Sequence, residues 1–454
     1  MSTRMVVTRA EVSEDAIPDT YLVMLKDDGN REAQINWVQN EHKCDATTFK
    51  CKIFSAGTLT FQGMITVTVG YTAKLCQVTL DYLSNHQDTK SIDEDRQPTW
   101  GIPQRERVMR NITKQDTVYP DVPIQPLPVP LPIAVAASMG PKRKEWPNAP
   151  WGLQRLSQYL PLPKNSDPSL QKYVYRCGDP SKGGSVQRVD VYVLDSGVMT
   201  THEQFGGRAT FGKDFSKEHS SPEDPVTNDE DPVTDGHGTH VAGILGGRDV
   251  GVARDVHIIS IKVLGGMRGT LPVIEAIDWA VEQAKISKNP SIINMSFYFA
   301  GPGIDGLDDH VNRAVACNVH VVAAAGNLNA DAQNLSPARI GGIMTVGATT
   351  IQDQRWISHA KLGSNFGNCV GIFAPGADIV SAGISNNDEL VRDSGTSMAA
   401  PHVAGLIAYL IQMNGDKEPA RMIKDICNAA YKLDRDLANI PADTVNLLAF
   451  NGVV

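Results

Sequence analysis

The sequence predicts an α/β chain: a parallel sheet with helices on both faces, preceded by a smaller α/β unit. Three observations lead there. Short β-branched runs, RVDVYVLD, VHIISIKVL, SIINMSF and VHVVAAAGN, have the character of strands buried on both faces. Between them stand THVAGILGG, LPVIEAIDWAVEQAK and LDDHVNRAVAC, with apolar residues at helical spacing. Such alternation is met by a parallel sheet with crossover helices. The third observation is a change of composition before residue 151, which separates the alternating part from what precedes it.

Four segments follow in chain order. Residues 1–19 are an N-terminal segment, and residues 20–95 read as the small α/β unit. There TYLVMLK is a strand. Arg31 to His42 is helix-like, with Ala33, Trp37 and Val38 repeating. MITVTVG is a second strand, and YTAKLCQVTLDYLSNH reads as a helix with Leu75, Val78 and Tyr82 on one face. A last strand fits SIDED. Residues 96–150 are a Pro-rich linker: ten prolines fall between 101 and 150, including PIQPLPVPLP, so this part is extended and poor at building a core. Residues 151–454 form the main domain.

Composition narrows the function. A net charge of −9 disfavours nucleic acid or an anionic membrane as partner. No run of eighteen apolar residues exists to span a bilayer, and MSTRMVVTRAEVSEDAIPD lacks the apolar core of a secretory signal. Seven scattered cysteines, without Cys-x-x-Cys, read as reduced thiols, and with the missing signal they favour an intracellular site. The triplets at Asn111 and Asn334 are glycosylation acceptors only in a secreted chain.

In a sheet of this kind chemistry gathers at the carboxyl ends of strands. VYVLDSGV ends a strand in Asp195, and TDGHGTHVAG sets His237 between glycines at the mouth of a helix. A neutral imidazole there can accept a proton at neutral pH. His240 stands three residues on, but no carboxylate or cysteine at ligand spacing makes a metal site of the pair. VVAAAGN ends a strand in Gly326 and Asn327, whose side-chain amide could stabilise an oxyanion. SGTSMAAPHVAGLIAYL begins a helix at Ser397, either as a capping hydroxyl or as a reactive oxygen at the positive end of the helix.

Asp195, His237 and Ser397 follow one another in the chain order of subtilisin. With LDSGV, DGHGTHVAG, AAAGNLNADAQNLSPA, MTVGAT, FAPGADIVSAG, SGTSMAAPHVAGLIAYL and NIPADTVNLLAF, the chain resembles the subtilisin-like serine peptidases, closest to the proteinase K branch. The resemblance implies a subtilisin-like domain over 151–454. Ser397 would be its nucleophile, His237 the base, Asp195 the residue orienting it, and Asn327 the oxyanion donor. It further implies that 20–95 is a ferredoxin-like inhibitory propeptide, with DTYLVMLKDD and HQDTKSIDEDR as its first and last strands. The partners would be a peptide or protein substrate and the chain's own propeptide, in a monomer.

The chain departs from the family in four places. Ser296 is followed by Phe297, Tyr298 and Phe299, where relatives carry glycines that pair with the substrate backbone. These rings could narrow the specificity pocket or turn away from it. KVLGGMRGTLPV is shorter than the loop that lends a second strand to the substrate. Met344 replaces a cysteine and Gly371 a calcium-binding Asp, so no cofactor is expected and the family's calcium site should be weak or lost. A long arm ending in PKRK precedes the main domain, and an acidic loop precedes His237. A restricted endopeptidase made as a zymogen fits best. A serine hydrolase acting on a non-peptide substrate, or a scaffold kept for partner binding, is the alternative.

Overall fold

The computed structural model describes residues 16–25, 52–56, 71–75, 77–100, 144–169, 172–179, 186–216, 236–265, 269–431 and 437–452. At the N-terminus lie β1 (Ala16–Leu25), β2 (Lys52–Ala56), β3 (Tyr71–Lys74), α1 (Gln77–Asn85) and β4 (Thr89–Arg96). The strands form an antiparallel sheet in the order β2-β3-β1-β4. Side chains alternate along a strand, so β1 has two apolar faces. Tyr21, Val23 and Leu25 pack with Leu80 and Leu83 of α1. Leu22 and Met24 join a different core, that of the larger unit.

After this sheet come β5 (Thr99–Trp100), β6 (Lys144–Ala149), α2 (Trp151–Leu156) and β7 (Tyr173–Cys177), with β6 and β7 antiparallel. The main sheet is parallel and seven-stranded. Its members are β8 (Asp190–Asp195), β9 (Ala209–Asp214), β10 (His257–Lys262), β11 (Ser291–Met295), β13 (His320–Ala324), β14 (Met344–Thr349) and β17 (Ile372–Pro375). The order β17-β14-β13-β11-β8-β10-β9 runs outward in both directions from the β8–β11 pair. The crevice beyond the carboxyl ends of those two strands is therefore the switch point of the fold. A two-residue strand, β12 (Phe297–Tyr298), leaves it directly after β11. Two hairpins, β15 (Ile357–His359) with β16 (Leu362–Gly363) and β18 (Ile379–Ala382) with β19 (Leu390–Asp393), complete the strands.

Helices cover both faces of the sheet. Val191 and Val193 of β8 share a core with α3 (His237–Gly246) and α6 (Thr396–Asn414). Tyr192 and Leu194, one residue out of phase, share the opposite core with α4 (Leu271–Ser287) and α5 (Asp305–Ala316). The last helix, α7 (Pro419–Tyr431), buries Met422 and Ile426 against the first core. No helix among the described residues is long and apolar enough to cross a membrane.

The four strand runs and three helical segments read from the main domain all form where expected. Two readings are corrected. YTAKLCQVTLDYLSNH is not one helix: Tyr71–Lys74 pair with β1 as β3, and α1 starts at Gln77. Edge pairing overrides helical periodicity there, and the buried residues of α1 are Leu80 and Leu83, while Tyr82 is exposed. The linker also ends before residue 150, because Lys144–Ala149 pairs with β7. The helix read at 31–42, the strand MITVTVG, Asn111 and the stretch 101–143 lie outside the described residues.

The N-terminal sheet sits on α4 and α5 through groups that match them. Asp95 Oδ1 accepts from Thr270 N at 2.7 Å, just before α4, and Asp93 Oδ2 accepts from Gly306 N at 3.2 Å in the first turn of α5. Both carboxyl groups meet amides that a helix start leaves without intrahelical partners. Glycines make the room. A Cβ on Gly269 would lie 2.0 Å from Asp95 Oδ1, and one on Gly306 would lie 2.6 Å from Met24 Cγ. The exposed ion pair Lys90–Asp309, at 2.7 Å, adds little.

Burial raises the Asp93 carboxyl to about 6; the Gly306 amide opposes the shift and the Asp305 carboxylate adds to it. Asp93 Oδ1 is buried with no partner among the described residues. A carboxyl whose pKa is raised in the docked state binds its proton more tightly there than in the free state. Docking is then strongest below about pH 4 and weakens as pH rises through 6. Burial raises the Asp95 carboxyl as well, so Asp93→Asn should weaken this dependence rather than remove it, and stabilise the docked arrangement at pH 7.5 by on the order of 2 kcal/mol. Urea midpoints of the full chain carrying Ser397→Ala, from pH 4 to 7.5, check it; an unchanged profile in Asp93→Asn would contradict it.

Candidate active site

Asp195 ends β8, and the chain turns there because Ser196 N donates back to Asp195 Oδ1 at 2.8 Å. Ser196 Oγ then accepts from Gly238 N at 2.9 Å, tying the strand end to the start of α3. The approach is so close that a Cβ on Gly238 would lie 2.1 Å from Gly197 O. Only glycine allows it, and the result is that His237 faces Asp195. His237 Nδ1 donates to Asp195 Oδ1 at 2.7 Å, with both side chains fully buried. An ionised carboxylate can only accept, so the proton sits on Nδ1 and the lone pair on Nε2. Nε2 is buried with no hydrogen-bond partner among the described residues.

Ser397 stands in the first turn of α6, a 19-residue helix whose first turn carries no acidic side chain. Its hydroxyl donates to Ser296 O at 2.9 Å, while Ser296 Oγ donates to Ser397 O at 2.9 Å. This reciprocal pair fixes the helix start against the strand that follows β11. Asn294 Nδ2 donates to Ser296 Oγ at 3.1 Å and holds that side chain in turn.

Asn327 comes from the end of β13. Its Oδ1 accepts from both Thr396 N and Thr396 Oγ1, each at 2.9 Å. With the carbonyl oxygen committed to two donors, the amide group is aimed away from Thr396, and a Cβ on Gly395 would lie 3.2 Å from its Nδ2. Thr396 Oγ1 accepts from Gly326 N at 3.1 Å, and Gly326 has φ 95, a conformation suited to glycine. Thr396 and Ser196 are thus positioning residues that the sequence reading passed over. Their signal was adjacency: each is the hydroxyl residue beside a candidate catalytic group, Thr396 before Ser397 and Ser196 after Asp195.

The structure pairs Asp195 with His237 and sets Asn327 against Thr396, the neighbour of Ser397, and each of the four candidates is 2% exposed or less. His240 does not join them. Its Nε2 lies 3.1 Å from Ile379 O and 3.3 Å from Val391 O, a bond across the β18–β19 hairpin. Among the described residues no group of three His, Cys, Asp or Glu side chains could hold a metal ion.

The three rings after Ser296 divide by strand alternation. Phe297 and Phe299 turn into the core under α4 and α5, stacked edge to face at 6.1 Å, in the cluster that also contains Leu22 and Met24. Of the two alternatives for these rings, narrowing the pocket or turning away, the core position of Phe297 and Phe299 corresponds to turning away. Tyr298, on the same face as Ser296, packs instead with Ala325 and Leu335. A Cβ on Gly326 would lie 3.3 Å from Tyr298 Cδ1, so the ring stands beside the strand end that carries Asn327. The backbone of this strand is already paired: β12 and β5 are antiparallel, with Phe297 opposite Trp100 and Tyr298 opposite Thr99.

The family model described as the subtilase family matches residues 187–445. Alkaline protease 2 of Aspergillus fumigatus is 31% identical over 466 residues, covering 96% of this chain and 81% of that protein. The subtilisin-like serine protease Rho m 2.0101 of Rhodotorula mucilaginosa is 41% identical over 322 residues, covering 67% of this chain and 86% of that one. Among solved structures, a cold adapted subtilisin-like serine proteinase aligns with a TM-score of 0.55 at 37% identity, covering 67% of this chain and 98% of that chain. With this sheet and these strand-end residues in place, the chain belongs to the subtilase family and is a serine-type endopeptidase.

Proposed function

We propose that Ser397, His237, Asp195 and Asn327 carry the hydrolysis, on a peptide entering as an antiparallel strand along β12. The observation that supports this most is the 2.7 Å bond from His237 Nδ1 to Asp195, which leaves Nε2 as the base. Ser397 Oγ turns from Ser296 O toward Nε2, loses its proton there and attacks the carbonyl carbon. The charge that develops on the carbonyl oxygen meets Asn327 Nδ2 and the amides at the start of α6. His237 then hands the proton to the leaving amine, and water repeats the cycle on the acyl-enzyme. The strand pairing on β12 favours a peptide over a small ester, because it recognises backbone.

The N-terminal unit acts as an inhibitory propeptide in this reading. Support comes from β5, which occupies the substrate's place on β12, and from four candidate catalytic side chains all closed to solvent. The boundaries follow the elements: β1 begins at Ala16, and the inhibitory tail reaches Trp100 rather than ending at 95.

Specificity is narrowed by Tyr298. A substrate residue opposite Ser296 points its side chain to the face that Tyr298 already occupies. Only a small side chain fits before the scissile bond.

The calcium site that the resemblance places at Gly371 does not fit the ion. Gly371 supplies no carboxylate, and a Cβ there would lie 3.2 Å from Met344 Sδ. Hard-cation binding needs charged oxygen ligands at such a point.

Four outcomes follow. Ser397→Ala should abolish covalent labelling by a fluorophosphonate, and Asn327→Ala should lower turnover roughly 100- to 1000-fold, as loss of the matching donor does in subtilisin. Retained labelling at Ser397→Ala would overturn the assignment. Tyr298→Gly should raise kcat/KM roughly tenfold or more on peptides with a large residue before the cut, while leaving glycine-containing peptides nearly unchanged. A peptide-library digest reads this directly, and an unaltered preference would remove Tyr298 from the pocket. EDTA should shift Tm by less than about 2 °C, where a tightly held ion would contribute several kcal/mol; a large drop would show that other oxygens bind calcium.

A further inference from the structure

Two segments of chain meet at Asn327. One leaves β13 and runs from Ala325 to Ala330; the other passes through β16 and continues to Asn365. Backbone bonds tie them together: Gly363 N donates to Asn327 O at 3.0 Å, Asn329 N to Gly363 O at 2.9 Å and Asn365 N to Gly326 O at 2.9 Å. To this ladder the Asn365 side chain adds three bonds. Its Oδ1 accepts from Leu328 N and from Ala330 N, each at 3.0 Å, and its Nδ2 donates to Ala325 O at 2.9 Å. Backbone groups before and after Asn327 are thus gathered on one fully buried side chain. We infer that Asn365 is a positioning residue: it holds the backbone on both sides of Asn327 and so fixes where the Asn327 amide stands when charge develops on the substrate carbonyl. The inference rests on the reading of Asn327 as the oxyanion donor above.

The contacts ask for an amide at this position. One oxygen with two lone pairs meets two N–H groups, and an N–H of the same side chain meets a carbonyl. A carboxylate has no donor for Ala325 O, and an apolar side chain would leave all three buried backbone groups without this partner. Gly326 makes the room: a Cβ there would lie 2.6 Å from Asn365 Nδ2. Asn365 is itself held. Ser364 Oγ donates to Asn365 O at 3.0 Å and accepts from Ala348 N of β14 at 2.9 Å, which ties the segment to the main sheet. Arg355 braces the same segment, donating from Nη1 to Ser364 O at 2.5 Å and to Asn329 Oδ1 at 2.7 Å while its guanidinium lies 5.0 Å from the centre of the Phe366 ring.

Asn327 is therefore fixed from two directions. Thr396 takes its side-chain oxygen and sets the rotation of the amide, while Asn365 sets the backbone from which that amide projects. A donor stabilises an oxyanion only when it already stands at hydrogen-bond distance from it, and a misplacement of about 1 Å can cost on the order of 100-fold in rate. The side-chain bonds of Asn365 go to backbone groups around Asn327, so its effect on the reaction passes through that residue. Losing them should slow the covalent step without weakening ground-state binding, and the loss should disappear once the Asn327 amide is gone.

The test follows fluorophosphonate labelling of the full chain at several probe concentrations, in wild type, Asn365→Ala, Asn327→Ala and the double variant. The phosphonyl oxygen takes the place of the carbonyl oxygen. Intact mass reads the adduct on full-length molecules only, so clipped ones drop out of the comparison, and a cooperative urea transition shows that each variant is folded. Asn365→Ala should lower the maximal labelling rate roughly 10- to 100-fold and change the half-saturating probe concentration by less than about threefold. On the Asn327→Ala background the same substitution should cost less than about twofold. An equal loss on both backgrounds, a change in half-saturation alone, or no change overturns the inference and leaves the peptidase reading intact. No adduct on wild type, or labelling of Asn327→Ala as fast as wild type, overturns the donor reading and the inference together. Asn365→Asp keeps both accepted bonds and loses the donated one, so it should label roughly two- to tenfold more slowly than wild type, and it carries the same cycle if Asn365→Ala does not fold. A loss in Asn365→Asp as large as in Asn365→Ala would contradict a hold exerted through Leu328 N and Ala330 N.

Discussion

Backbone pairing between Thr99–Trp100 and Phe297–Tyr298 is the contact on which the rest of this molecule depends. It lies directly after β11, beside the switch point of the sheet, next to Ser296, whose carbonyl oxygen accepts from Ser397. A two-residue strand contributes little by itself. Its position is secured by β4, whose carboxyl groups meet the starts of α4 and α5, and by Leu22 and Met24, which complete the core under those helices. The two units thus share one apolar core, and β5 is the end of a broad interface.

Beside that interface, part of the candidate site is already made. The Asp195–His237 bond is made, and the oxygen of Asn327 is locked by Thr396. The one step left open is the hydroxyl of Ser397, which donates to Ser296 O rather than to His237 Nε2. Preorganised dipoles of this kind do their work without rearrangement when charge develops.

Much of this was legible in the sequence, for physical reasons. Buried parallel strands advertise themselves as β-branched runs, and close backbone approach at the strand ends demands glycines around His237 and before Ser397. What stayed illegible depends on partners. Nothing local marks Thr99–Trp100 as a strand, because only β12 makes it one. Tyr71–Lys74 carries helical periodicity that pairing with β1 overrides. Phe297, Tyr298 and Phe299 look alike on the page, and alternation alone sends two to one core and the third to another. Asp93 and Asp95 are buried although nothing in SIDED marks them, because the helix starts they meet come from elsewhere in the chain.

Hydrogen exchange on the full chain carrying Ser397→Ala tests the central claim most directly, since it reads the β5–β12 pairing itself. Peptides spanning residues 97–100 and 296–299 should exchange as slowly as those of β4, and should lose protection together with them as denaturant is added. Complete exchange at 97–100 within seconds, with β4 still protected, would contradict the account: the cleft would then be open, and the latency of the site would need another cause.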